Sequence, residues 1–68
     1  MSIDSDLALL SSTSTQLEDL GTRITEMAER YGATPDSQLA SELYGAERAL
    51  IGARRALERA RRFLDQMA

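Results

Sequence analysis

The sequence predicts an all-α fold: an antiparallel two-helix hairpin with a coiled-coil-like leucine/alanine seam that dimerises into a four-helix bundle. Three observations carry this. Apolar residues recur at heptad spacing through most of the chain, and one cluster of helix-breaking residues lies near its middle. The chain also has only 68 residues with neither Cys nor His, so disulfides and most structural zinc sites are closed to it and self-association is the remaining route to stability. One domain, residues 1–68, is the expected count.

Helix 1 is expected from about residue 4 to 31. Ile3, Leu10, Leu17, Ile24 and Tyr31 repeat every seven residues, and Thr13, Leu20 and Met27 form a second line beside them. Leu7, Gly21 and Ala28 fall on the same side. The stretch Ser11-Ser12-Thr13-Ser14-Thr15 is the weak point, because Ser and Thr hydroxyls compete for backbone groups. The seam keeps its phase through it, which favours helix. The rival reading is a loop there, after a short separate N-terminal helix. Thr13 and Ser14 fall on the core side, where polar residues can fix register at some cost in stability.

The break is Tyr31-Gly32-Ala33-Thr34-Pro35-Asp36. Gly32 suits the left-handed position past a helix end. Thr34 suits the cap of the next helix, Pro35 its first position, and Asp36 its first turn, near the positive end of the dipole. A turn over residues 32–35 is short enough to fold the helices back antiparallel.

Helix 2 is expected from about residue 35 to 66. Leu43, Leu50, Leu57 and Leu64 form one line; Leu39, Ala46, Ala53, Ala60 and Met67 form the other. Gly45, Ala49, Gly52, Ala56 and Phe63 widen the face. Small residues let helix axes approach near the low end of the usual range, which would give Gly45 and Gly52 a close-contact role. This arc covers roughly half the circumference at about 100° per residue, more than one antiparallel neighbour covers. A second hairpin would keep the rest dry. The expected core and dimer interface is therefore Leu10, Leu17, Leu20, Ile24 and Met27 with Leu43, Ala46, Leu50, Ala53, Leu57, Ala60 and Leu64.

Charge is divided along the chain. Residues 1–38 carry seven acids and two arginines, and residues 39–68 carry four acids and six arginines, so the halves have net charges of −5 and +2. An acidic helix beside a basic one is attracted to it. The overall charge of −3 argues against general affinity for nucleic acid. The longest apolar run, Leu7-Ala8-Leu9-Leu10, is far short of the roughly 20 residues of a membrane span. The acidic start lacks the basic stretch of a secretory leader, so a cytoplasmic location is expected.

Catalysis is not expected. There is no His to activate a Ser, no Lys for a Ser–Lys pair, and no glycine-rich loop after a strand. Glu42, Glu47 and Glu58 do not share one core line, so no metal or cofactor is expected. Glu26 with Arg30 and Glu58 with Arg62 have the spacing of surface ion pairs, and Glu29 faces away from the seam. The feature above background is a stripe on helix 2 outside the seam: Tyr44 and Ile51, seven residues apart, with Arg48, Arg55, Arg59 and Arg62. Tyr and Arg are enriched at binding hot spots, and an arginine row can clasp carboxylates. A solvated basic face with two scattered apolar residues is the plainer alternative.

The functional expectation is a cytosolic, non-catalytic protein-interaction or regulatory module. Its partners would be a second copy and another protein offering an acidic or amphipathic helix. The alternative is a small RNA- or DNA-binding bundle that uses the arginine face; nucleic acid is the less favoured partner.

Overall fold

The computed structural model describes residues 2–32 and 37–67, which form two helices, α1 (Ile3–Gly32) and α2 (Ser37–Met67), packed side by side. The expected cap Thr34 and its neighbours Ala33, Pro35 and Asp36 lie outside the described residues.

Ser2 starts α1. Its Oγ accepts the Ser5 backbone N–H at 3.1 Å, and its carbonyl accepts the Asp6 N–H at 3.1 Å. This is an N-cap, which the Ser-x-x-Ser spacing could have signalled. Asp4 and Asp6 lie in the first turn and Arg30 in the last, each complementing the helix dipole.

The Ser/Thr-rich stretch is helical throughout, so the rival loop at Ser11–Thr15 does not form. Two threonine hydroxyls are absorbed by the helix itself. Thr15 donates to the Ser11 carbonyl and Thr22 to the Glu18 carbonyl, both at 3.2 Å. Gly32 is the last residue of α1 and does not adopt a positive φ, unlike the expected left-handed cap.

The helices meet through half of each apolar arc. On α1 the Leu10, Leu17 and Ile24 line is half-buried together with Leu7, Ser14 and Gly21, and Ala28 is fully covered. On α2 the Leu43, Leu50, Leu57 and Leu64 line is half-buried, flanked by Ala40, Glu47 and Arg54. The expected second line of α2 is not part of this contact. Ala46, Ala53 and Ala60 are exposed, as are Leu20 and Met27 on α1. Sequence periodicity marks the whole apolar arc, but a lone neighbour covers only about half of it, and the hairpin uses the half on which polar residues flank the leucines.

Little core results. Among the described residues only Ala28 and Ala40 are buried. The chain measures 52 × 15 × 13 Å, with a radius of gyration of 15.6 Å. A compact globule of this length would have a radius of about 11 Å. Two rods of about thirty residues give each other one flank and nothing more.

Candidate interaction surfaces

The packing divides the hairpin into two flanks. Leu20 and Met27 each precede a contact residue, Gly21 and Ala28, by one position. Ala46 and Ala53 likewise precede Glu47 and Arg54. Equal offsets on antiparallel helices fall on the same side, so these residues share one flank. It is apolar: Leu20, Met27 and Leu39 are about two-fifths exposed, and Leu9, Phe63 and Met67 about two-thirds. Ala46, Ala49, Ala53, Ala56 and Ala60 are exposed between them.

The opposite flank is a groove of mixed polar and apolar lining. Its upper part is lined by Gly21, Thr22, Thr25, Glu26 and Glu29 of α1 and by Glu47, Leu50 and Ile51 of α2. Glu18 and Arg54 close across it at 3.4 Å, with both side chains substantially exposed. Its lower part runs from Leu7 and Ser11 to Leu57, Arg61 and Asp65. Here Glu58 pairs with Arg61 at 3.2 Å, three residues on, rather than with Arg62 as its spacing suggested. Solvent screening leaves each exposed pair worth about 0–1 kcal/mol.

The stripe read from the sequence divides between two settings. Arg48, Arg55, Arg59 and Arg62 are exposed on α2. Ile51 does not project from an outer face; it is half-buried on the groove wall beside Leu50. Tyr44 is at the edge of exposure. Ile51 directly follows Leu50, and the hairpin is rotated toward that side, so the residue expected outside becomes part of the wall. Glu29, read as facing away, lies along the rim of the same groove.

Gly45 and Gly52 make no close helix contact within the hairpin. A Cβ at Gly52 would meet nothing within 4 Å, and at Gly45 only the flexible end of Arg48 at 3.7 Å. Among the described residues no three carboxylates gather as a metal site would require. No described helix is long and apolar enough to cross a membrane.

No protein-family model matches this chain, and neither a curated protein nor a solved structure matches it.

Proposed function

We propose that the chain is a non-catalytic cytosolic interaction module that works as a homodimer of helical hairpins. The observation that carries this is the apolar flank. Leu20, Met27, Leu39, Ala46, Ala53, Ala60 and Phe63 are exposed along one flank, with Gln16 and Arg23 beside Leu20, and aligned exposed apolar residues of this kind mark an interaction surface. The chain exposes 5077 Å². A folded globule of 7.5 kDa exposes about 4,250 Å². The excess of roughly 800 Å² per chain follows from its elongated shape, and covering one flank would remove part of it.

With the apolar flanks closed on each other, the arginines of α2 stay outside. Arg48, Arg55, Arg59 and Arg62 then offer a basic surface to a second protein bearing an acidic or amphipathic helix. Sedimentation at micromolar concentration should give twice the 7.5 kDa chain mass. A monomer that remains fully helical would remove the dimer. Replacing Arg48, Arg55 and Arg59 together by Ala should leave the dimer mass intact and abolish capture of the partner protein.

A second reading, nucleic-acid binding, draws on the same exposed arginine row. Phosphate-driven binding weakens steeply with salt, so titration of a mixed nucleic-acid pool at low and moderate salt separates the two. No binding at low salt removes the second reading.

A further inference from the structure

Building on the homodimer reading, we infer that the two hairpins stack with their turns at the same end, each α1 lying on the alanine line of the partner's α2. Four observations point to this arrangement.

The first is level. Glu18 and Arg54 touch, so α1 and α2 residues whose numbers sum to about 72 lie at one height along the hairpin. A twofold axis parallel to the helices leaves height unchanged. The same pairing therefore holds between α1 of one chain and α2 of the other.

The second is shape. On the apolar flank this sets Leu20 level with Ala53 of the other chain, Met27 with its Ala46 and Thr13 with its Ala60. Larger side chains of α1 meet methyl groups of α2, the large-on-small alternation that lets layers interdigitate.

The third is the outer edge of the flank. Leu9 comes level with Phe63, at 62% and 68% exposure two of the three most exposed large apolar residues described. Arg30 comes level with Glu42, opposite in sign.

The fourth is charge. α1 holds six acids and two arginines, net −4, and α2 holds four acids and six arginines, net +2. With the turns at the same end, every neighbouring pair of helices in the bundle is one α1 and one α2. With the turns at opposite ends, α1 packs on α1 and α2 on α2. Like-charged helices then become neighbours, and Leu20 loses its alanine.

The chain has no Cys, so single engineered thiols are unambiguous reporters. Leu20→Cys and Ala53→Cys chains are mixed, unfolded and refolded together, then oxidised. The mixture should give covalent dimer approaching the half of all dimers that random pairing makes heterodimeric, while either variant alone gives traces. Covalent dimer from Ala53→Cys alone at the yield of the mixture would overturn the arrangement in favour of turns at opposite ends. Thr13→Cys with Ala60→Cys is the second pair, used if Leu20→Cys weakens association, and both pairs are sedimented first. Dimeric chains without cross-linking in either mixture sink the arrangement and leave the dimer standing. Monomeric wild-type chains sink both.

Discussion

The two flanks of the hairpin are built from the same helices, yet they differ in what completes them. The groove flank is finished within one chain. Arg54 reaches Glu18 across it, Ile51 is half-buried on its wall, and polar side chains at its rim remain hydrated. The apolar flank has alanines on α2 and leucine and methionine on α1 with nothing over them. Burial is worth roughly 25 cal/mol per Å² of apolar area, so the flank that exposes Leu20, Met27, Phe63 and the alanines gains more by being covered. Adjacent positions along one helix, Ala53 and Arg54, thus serve opposite purposes.

Four experiments test this contrast. Leu50→Ala removes a side chain from the leucine line that both flanks share. It should cost about 2–4 kcal/mol in urea unfolding at fixed chain concentration. A loss under about 1 kcal/mol would mean that the leucine line stays wet. Ala53→Leu acts on the apolar flank alone. Overpacking there should cost about 1–3 kcal/mol and lower Tm in a concentration-dependent way. An unchanged Tm would place Ala53 on a free surface.

Gly52→Ala tests the back of α2, on the heptad line of Arg59, where the hairpin leaves open space. Helix propensity should raise stability by about 0.5–1 kcal/mol. A decrease would bring another chain's backbone against Gly52. The smallest effect belongs to the groove. A double-mutant cycle on Glu18→Gln and Arg54→Gln should give a coupling of about 0.2–1 kcal/mol that vanishes in molar salt. A larger, salt-insensitive coupling would mean that the groove is covered.

The hairpin was largely legible in the sequence. Heptad recurrence gave both helices. α1 begins at Ile3, one residue before its expected start. The Ser-x-x-Ser spacing carries the signal of the N-cap at Ser2. Periodicity centres the seam on the middle of the apolar arc, whereas the helices meet along one edge of it, so the place of Ile51 on the groove wall is not legible in the sequence. The pairing of Glu58 with Arg61 rather than Arg62 was not legible, since both spacings are favourable on a helix. Rotation of one helix against another moves such side chains between wall and surface while leaving the periodicity untouched.

Local pattern sets the two helices and the apolar arc of each, because side-chain period is a local property. Which half of each arc the partner helix takes is a matter of packing. That choice depends on how two rods roll against each other: here Ala28 and Ala40 are buried, and Ala46, Ala53 and Ala60 are left facing outward.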